Sequence, residues 1–336
     1  MTLANSLSKH ENEASALEIL ARAKSLVNPA LEAATQRLSP ELRPLVRHHF
    51  SAGGKYVRAS LALISANAGG ASDDAGLVGA LAIELIHNFS LIHDDIIDGD
   101  VERRHEPTVW AKYGVGPAII AGDALSTLAF QLLLDNATPS RVRAAARLAE
   151  ATQAMIVGQA EDIASEHQLS LSVEECLRME AGKTGALLSC AASIGAILAG
   201  ASEPVIEALS EFGDHLGQAF QAIDDMLGVW GESSVTGKPV GNDLRLRKKT
   251  LPVCIANAKG FDVFGEIASS SEDDLTDAEV AAAMTLLDDC GARYETAEMA
   301  EAELRSALAA LERAPMEPSA RTELAILARY VIERDQ

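Results

Sequence analysis

Apolar residues with helical spacing run along almost the whole chain, and this periodicity constrains the possible folds more than any other feature. Within each segment the apolar side chains recur every three or four residues, which places them on one face of an α-helix. The segments lie near residues 11–38, 55–68, 73–98, 114–135, 139–166, 172–200, 203–230, 278–313 and 318–334. β-Branched alternation is scarce and no repeat of 20–50 residues is present, so the sequence predicts an all-α protein that is not a helical solenoid.

Chain length and composition favour one large domain. The 336 residues are 48% hydrophobic, enough to bury a sizeable core, and no long linker rich in glycine, serine or proline interrupts them. We therefore predict a single domain over residues 1–336. Residues 1–13 are polar and contain no apolar signal segment, so we expect them to form a flexible N-terminal tail.

Cysteine usage and hydropathy indicate a cytoplasmic protein without a membrane span. Cys176, Cys190, Cys254 and Cys290 form no Cys-x-x-Cys pair, which suggests neither a disulfide framework nor a zinc site. The most hydrophobic stretch, residues 186–200, is short and contains two serines. We interpret this stretch as a buried helix.

The formal net charge of −21 argues against general binding to nucleic acids or to anionic membranes. An anionic substrate would need local positive charge. Such charge is present in short clusters beside glycines or turns, namely Lys55 with Arg58, Arg103 with Arg104, Lys183, Lys238, and the basic residues of the stretch 245–249.

Two aspartate-rich segments, residues 94–98 (DDIID) and 224–228 (DDMLG), are candidate metal-binding motifs. Positions four apart share a helix face, so Asp94 and Asp98 project side by side, while Asp95 points about 100° away. Carboxylates placed in this way suit a hard cation that binds a diphosphate. The alternative is a solvated face or helix end.

The stretch Gly53-Gly54-Lys55-x-x-Arg58 is a candidate phosphate site. It opens a predicted helix, so free backbone N–H groups and two cations lie close together. The same pattern also occurs in ordinary loops. Arg103 and Arg104 follow the first acidic segment, and they could either bind phosphates or pair with Glu102 and Glu106.

Together, these residues resemble the trans-isoprenyl diphosphate synthases, or polyprenyl synthetases, most of all the geranylgeranyl diphosphate synthases. The agreement in order and spacing covers roughly residues 50–255. It comprises Gly53-Gly54-Lys55-x-x-Arg58, His87 seven residues before Asp94, Asp94-Asp95-x-x-Asp98 with Arg103-Arg104, Lys183-Thr184, Phe220-Gln221-x-x-Asp224-Asp225 and Gly237-Lys238. Jointly these motifs are highly specific.

The resemblance implies an isoprenoid-synthase-type orthogonal helical bundle around a deep central cavity, usually in a homodimer. It also implies a role in isoprenoid and terpenoid biosynthesis by head-to-tail prenyl transfer. Isopentenyl diphosphate would condense with allylic diphosphates of C5 to C15.

The resemblance also implies roles for the individual residues. Asp94, Asp98 and Asp224 would bind Mg²⁺, three ions with bound diphosphate. Arg103, Lys183 and Lys238 would bind the allylic diphosphate. The pocket for isopentenyl diphosphate would contain Lys55, Arg58, His87 and Arg104. Thr184 and Gln221 would stabilise the allylic cation through their dipoles, although interhelical hydrogen bonding is the alternative role for both, and His87 could be a core residue.

The sequence departs from the family pattern at two places. Gly228 stands where the second motif usually has its third aspartate, which puts metal binding on that side in doubt. His105-Glu106 replaces the usual glycine-containing turn after the paired arginines, which could alter how that loop closes.

Product length is predicted from the residues just before the first motif. Phe89 and Ser90 lie five and four residues before Asp94, a pattern that resembles C20 synthases. The alternative is that Phe89 is an ordinary core residue. Two other functions remain open. One is a class I terpene cyclase, which would not need Lys55, Arg58 and Arg104; the other is a non-catalytic subunit of a heteromeric synthase, which would be expected to lose Asp94, Asp98 or Lys183.

Overall fold

α-Helices form nearly all of the regular structure in the computed structural model, which describes residues 9–166, 168, 170–233, 239–267 and 274–333. The helices are α1 Lys9–Thr35, α2 Arg43–Ser51, α3 Val57–Ala68, α4 Asp73–Ile97, α5 Val109–Tyr113, α6 Val115–Leu134, α7 Pro139–Glu166, α8 Val173–Glu180, α9 Ala186–Ala199, α10 Glu203–Trp230, α11 Asn242–Arg245, α12 Leu251–Ala258, α13 Val263–Ile267, α14 Asp277–Asp289, α15 Ala292–Glu312 and α16 Pro318–Glu333. A π-helical turn, Ala181–Gly185, joins α8 to α9. The short strands β1 Glu102–Arg103 and β2 Glu106–Pro107 pair antiparallel. The predicted all-α class is confirmed.

Most predicted helices lie within a few residues of where the periodicity placed them, but one long segment is broken and part of the predicted N-terminal tail is helical. The segment 278–313 was predicted as one helix, whereas the chain breaks it into α14 and α15. Gly291, between them, has φ +75°, a left-handed conformation that ends a helix. At the N-terminus α1 begins at Lys9, so residues 9–13 of the predicted tail are helical. The rest of that tail lies outside the described residues.

The chain forms two compact units. Unit 1 comprises Met1–Thr152, Cys190–Ser210 and Leu311–Leu327. Unit 2 comprises Gln153–Ser189, Glu211–Ala310 and Ala328–Gln336. The single-domain assignment stays a prediction.

Within unit 1, helices α3, α4 and α6 pack around a core of large aliphatic side chains. Leu61, Ile64, Ile83 and Leu85 are fully buried there. Gly195 lets α9 approach α3 closely, because a Cβ at this position would overlap the carbonyl oxygen of Ala62. This packing fixes α4, and with it the first aspartate motif.

Unit 2 is built around α10 and α12. Phe212 and Leu216 of α10 are fully buried, as is Val253 of α12. α8 begins with a capping box in which Ser172 and Glu175 satisfy each other's backbone N–H groups. This is the helix start that the sequence predicted.

Three helical segments are long and apolar enough to cross a membrane, judged by length and composition alone. They are Asp73–Ile97, Val115–Leu134 and Val173–Ala199. The most apolar window is 67% buried in the first and third segments but only 44% buried in Val115–Leu134. The absence of a membrane span therefore stays a prediction.

Candidate active site

The first aspartate motif lies at the C-terminal end of α4. The Asp98 N–H donates to the Asp94 carbonyl at 2.8 Å, so the two residues are one turn apart. Asp95 points elsewhere: it is buried, and its Oδ1 accepts a hydrogen bond from Arg103 Nε at 2.6 Å. Asp94 is half-buried and Asp98 is exposed. Asp95 thus points away from the face that carries Asp94 and Asp98, in agreement with the helical spacing, and the structure adds that it is buried.

The hairpin after this motif positions both arginines. Arg103 lies in β1, while Arg104 and His105 form the two-residue turn with φ of 55° and 66°. Both residues have a left-handed backbone conformation, as a type I′ turn requires. Arg104 Nη1 lies 3.8 Å from the position that a Cβ would take on Gly54. The unusual turn therefore closes without glycine and brings Arg104 to the glycine-rich stretch before α3.

A basic cluster surrounds the buried carboxyl of Glu84 in unit 1. Glu84 Oε1 accepts the Ala59 N–H from the first turn of α3 at 3.2 Å. Burial raises the pKa of Glu84, and the nearby charges of Arg58 and Arg104 oppose this. The pKa of His87 is lowered well below its usual value, by burial first and then by Arg58 and Arg104. The structure thus brings Arg58, His87 and Arg104 together, with His87 neutral.

His49 and Asn88 extend this cluster, and sequence reasoning missed both. Asn88 Nδ2 donates to the Glu84 carbonyl at 2.7 Å, so its Oδ1 faces His49 Nε2, which donates at 3.0 Å. Burial lowers the pKa of His49 to about 4, and the charges of Arg103 and Arg104 contribute. No local pattern marks His49, because its partner lies on another helix.

In unit 2 the π-helical turn carries Lys183 and Thr184. π-Turns inside helices frequently occur at functional sites. Two glycines leave space for it: a Cβ on Gly158 would lie 2.8 Å from the Met179 carbonyl, and one on Gly217 would lie 2.5 Å from Gly185 Cα. Lys183 Nζ forms an ion pair with Asp162 Oδ2 at 2.5 Å. Asp162 therefore holds the lysine from α7.

Thr184, Gln221 and Asp225 form a chain of hydrogen bonds. Thr184 Oγ1 donates to Gln221 Oε1 at 2.8 Å, and Gln221 Nε2 donates to Asp225 Oδ1 at 2.9 Å. Asp225 Oδ2 accepts the Leu251 N–H at 2.6 Å. Burial raises the pKa of Asp225 to about 6. Asp225 is buried and engaged on both oxygens, so it supports Gln221 and does not face outward beside Asp224.

The buried carboxyl of Glu180, at the end of α8, also hydrogen-bonds to Asp225. Cys176 Sγ donates to Glu180 Oε1 at 3.1 Å. Burial and the neighbouring Asp225 raise the pKa of Glu180 well above its usual range. Glu180 therefore holds the proton that a hydrogen bond between two carboxyl groups requires.

The second aspartate motif lies on α10. Asp224 is exposed, in contrast to Asp225. Gly228, one turn further on, lies directly against the Asp243 carboxylate, since a Cβ on Gly228 would lie 2.6 Å from Asp243 Cγ. Sequence reasoning missed Asp243. Lys238 lies outside the described residues.

The predicted site residues fall into two sets. Lys55, Arg58, His87, Asp94, Asp98, Arg103 and Arg104 belong to unit 1, and Lys183, Thr184, Gln221 and Asp224 belong to unit 2. Lys55 lies in the loop before α3 and is exposed. A separate cleft of about 570 Å³ in unit 1 is lined by Arg43, Arg47 and His48, among others. No predicted site residue lines it.

The carboxylates of the two aspartate motifs are candidate oxygen ligands for a metal ion. Across the part of the chain that the structure describes, no group of three or more His, Cys, Asp and Glu side chains could hold a metal ion. Mg²⁺ is usually bound by one or two carboxylates together with substrate phosphates and water. Asp94 and Asp98 in unit 1, and Asp224 in unit 2, each offer carboxylate oxygens of the kind that this mode of binding uses.

Comparison with known proteins gives extended matches. Residues 39–286 match the family model described as polyprenyl synthetase. The chain is 40% identical over 334 residues to the (2E,6E)-farnesyl diphosphate synthase of Mycobacterium tuberculosis (strain ATCC 25618 / H37Rv), covering 95% of this chain and 93% of that protein. It is 38% identical over 332 residues to the geranylgeranyl diphosphate synthase of the same strain, covering 94% and 93%.

Solved structures give the same result. The polyprenyl synthetase from Streptomyces coelicolor A3(2) has a TM-score of 0.89 at 43% identity, covering 94% of this chain and 99% of that chain. The geranylgeranyl pyrophosphate synthase from Corynebacterium glutamicum, complexed with isoprenyl diphosphate and magnesium, has a TM-score of 0.81 at 26% identity, covering 96% and 99%. These similarities confirm the predicted resemblance and the all-α fold that it implied.

Proposed function

The chain belongs to the polyprenyl synthetase family, and on that premise we propose that it makes geranylgeranyl diphosphate (C20) in a Mg²⁺-dependent reaction. The substrates are isopentenyl diphosphate and allylic diphosphates of C5 to C15. The allylic C–O bond breaks as diphosphate leaves, and the double bond of isopentenyl diphosphate attacks the resulting cation. Loss of a proton, with the departing diphosphate as base, then completes the head-to-tail product.

The basic cluster around Glu84 is the observation on which this proposal rests. Arg58 of α3 and Arg104 of the β1–β2 turn lie beside His87, about two turns before Asp94 on α4, in a protein of net charge −21. A terpene cyclase, which binds one diphosphate, has no need of a second cationic pocket. Lys55, Arg58, His87 and Arg104 would bind isopentenyl diphosphate, with His87 as a neutral hydrogen-bond donor.

Asp94, Asp98 and Asp224 are the proposed Mg²⁺ ligands, for three ions with bound diphosphate. When bound, Mg²⁺ offsets the charge of the allylic diphosphate and makes it a better leaving group. Arg103, Lys183 and Lys238 would bind the same diphosphate. Arg103 Nε is held by Asp95, which leaves its terminal nitrogens to donate, and Lys183 is aimed by Asp162.

Thr184 and Gln221 would stabilise the allylic cation. Their hydrogen bond orients the Gln221 carbonyl dipole, and a dipole fixed in advance stabilises developing charge without reorganisation. Both side chains lie on elements held by glycine contacts and buried hydrogen bonds.

Phe89 would form the floor that limits product length. Its ring meets His93 edge-on, with centroids 4.9 Å apart, and His93 Nε2 donates to the Ile119 carbonyl of α6 at 3.1 Å. Phe89 is thus held by the contact between α4 and α6. A fixed aromatic ring five residues before Asp94 supports a C20 product, although relatives include both farnesyl and geranylgeranyl synthases.

We further propose that the enzyme is a cytoplasmic homodimer. All four cysteines are free thiols, as suits a reducing compartment. Val115, Ile119 and Ile120 form an exposed apolar face on α6, which supports dimerisation.

Product analysis tests the proposal. Purified protein is incubated with Mg²⁺, isopentenyl diphosphate and each C5, C10 or C15 allylic diphosphate, and the dephosphorylated products are sized by chromatography. A C20 product is expected from each starter. A hydrocarbon or alcohol formed without isopentenyl diphosphate would indicate a cyclase, and no turnover with any starter would indicate a non-catalytic subunit.

The variant Phe89→Ala tests the floor. Removing the ring opens space below the first motif, so products longer than C20 should appear with C15 starter. Ser90→Ala, one residue nearer the motif, is the matched control and should retain the C20 product. An unchanged product from Phe89→Ala would mean that another residue forms the floor.

A further inference from the structure

The place of the missing third carboxylate in the second aspartate motif is filled by another residue. Gly228 lies four residues after Asp224 on α10, so the two share a helix face. A Cβ on Gly228 would lie 2.6 Å from Asp243 Cγ and 3.3 Å from Asp243 Cβ. The Asp243 carboxylate therefore occupies the space in which a side chain at position 228 would begin.

The short helix α11 fixes Asp243 in this place. Leu244 is fully buried. Arg245 donates from Nη1 to the Leu275 carbonyl at 2.8 Å and from Nη2 to Asp277 Oδ1 at 2.6 Å. The buried Leu244 and the paired Arg245 thus hold the backbone of Asp243 in position.

Among the described residues, the Asp243 carboxylate is not engaged elsewhere. Over the ranges that the structure describes, no hydrogen bond or ion pair engages its side-chain oxygens. It lies against the helix face that carries Asp224, so the two carboxylates are placed to share one hard cation. A half-buried carboxylate in this position is therefore suited to a metal.

We propose that Asp243 takes the place of the third aspartate of the second motif and binds Mg²⁺ together with Asp224. The motif is thus completed by α11, and Gly228 provides the space that the incoming carboxylate needs. This inference rests on the proposed function, since it assumes that Asp224 is a metal ligand. It removes the doubt that Gly228 raises about metal affinity on this side.

A carboxylate swap tests the inference. Asp243→Asn keeps the shape of the side chain and removes its charge. The double variant Gly228→Asp/Asp243→Gly returns the carboxylate to α10 and clears the space above it. Gly228→Asp alone should be poorly tolerated, because the new side chain would collide with Asp243. Asp289→Asn, an exposed acid of α14 in the same unit, controls for net charge.

Metal binding is measured directly, by Mn²⁺ electron paramagnetic resonance titration of the full-length protein with inorganic diphosphate. Asp243→Asn should weaken Mn²⁺ binding about tenfold or more, and the double variant should recover most of that loss. Asp289→Asn should match the unchanged protein. Circular dichroism melting of each variant checks that it is folded.

The outcomes separate this inference from the proposed function. If Asp243→Asn binds Mn²⁺ normally while Asp98→Ala and Asp224→Ala bind it weakly, the inference is wrong and the proposed metal site stands. A double variant that binds no better than Asp243→Asn would also overturn it. If Asp98→Ala and Asp224→Ala bind Mn²⁺ normally as well, the proposed metal site itself fails.

Discussion

The side-chain amide of Gln221 is oriented by Asp225. An ionised carboxylate only accepts hydrogen bonds, so the Gln221 group facing it must be Nε2, and Oε1 must face Thr184. Asp225 also accepts the Leu251 N–H and a hydrogen bond from Glu180. Asp225 is therefore a positioning residue for Gln221, the proposed stabiliser of the allylic cation.

Asp225→Asn should lower kcat about ten- to a hundredfold at pH 8, where the Asp225 carboxyl is ionised. An amide at this position can donate as well as accept, so the Gln221 amide loses its fixed direction, and a charge-assisted bond worth about 1.5–3 kcal/mol is lost. The KM for both diphosphates should change little. Steady-state kinetics measures both quantities, and an altered Mg²⁺ requirement with normal kcat would instead make Asp225 a metal ligand.

His49 makes stability depend on pH. Its pKa is lowered to about 4 in the folded protein, by burial and by the arginines nearby, against about 6.5 in the unfolded chain. Between these values the unfolded chain binds a proton that the folded chain does not, so the free energy of unfolding falls as the pH falls. His87, whose pKa is also lowered, acts in the same direction.

His49→Gln should therefore lose less stability than the unchanged protein between pH 6.5 and pH 4. The glutamine retains an N–H donor for Asn88 but cannot take up a proton. The difference between the two proteins should reach about 3 kcal/mol at the acid end of this range. Urea unfolding at several pH values measures it, and parallel curves would show that His49 is not the titrating group.

At the scale of elements, the β1–β2 hairpin holds two non-glycine residues in the left-handed region. Arg104 and His105 have φ of 55° and 66°. Such residues cost about 1 kcal/mol or more relative to glycine, because Cβ crowds the following carbonyl. Arg104 is a proposed ligand of isopentenyl diphosphate, whereas His105 is exposed and pairs only loosely with Glu102, at 3.6 Å. The strain at His105 can therefore be removed without changing the proposed site.

His105→Gly should raise the free energy of unfolding by about 0.5–1 kcal/mol, because glycine adopts this conformation without strain. His105→Ala is the control: it removes the same imidazole but keeps the strained Cβ, so its stability should not rise. Urea unfolding of both variants measures whether the stability gain comes from relief of the backbone strain or from loss of the imidazole. Equal stabilisation by alanine and glycine would trace the effect to the loss of the imidazole.

Helix positions were the most predictable part of the fold, because each depends on neighbouring residues. α7 and α10 begin and end where the periodicity predicts. The break at Gly291 was missed because the apolar pattern continues across it. Likewise, the π-helical turn at Lys183 depends on Gly158 and Gly217, which lie on other helices and leave no local signal.

The candidate site could be predicted only as far as its motifs. Asp94 and Asp98 follow from spacing on one helix, whereas Asp243 meets Gly228 only because α11 lies beside α10 in the folded chain. His49 and Asn88 also meet only in the folded chain. Contacts of this kind arise from packing, which one sequence does not specify by pattern.

At the scale of the whole molecule, the negative net charge and the local cluster of arginines have opposite effects on an anionic substrate. The chain has 49 acidic and 28 basic residues, so its average field repels anionic diphosphates. Arg58, Arg103 and Arg104 nevertheless lie close together around His87. In the proposed function, binding of the anionic substrates would depend on this local cluster and on the cations that the carboxylates would bind.

The molecule also exposes an apolar face on α6. Val115, Ile119 and Ile120 have 46%, 43% and 56% of their surface exposed. Grouped exposed aliphatic residues often mark protein interfaces, because covering them is favourable by about 25 cal/mol for each Å² of apolar surface. This face is where we place the contact of the proposed homodimer.

Sedimentation equilibrium tests the homodimer. The unchanged protein should have twice the 35.4 kDa mass of one chain. Ile120→Glu should dissociate it at micromolar concentration, because a buried, unpaired carboxylate is costly at an interface. Leu17→Glu, on α1, also replaces a half-exposed aliphatic residue and should leave the dimer intact. A dimer that survives Ile120→Glu would move the interface to another face, and a monomeric unchanged protein would exclude it.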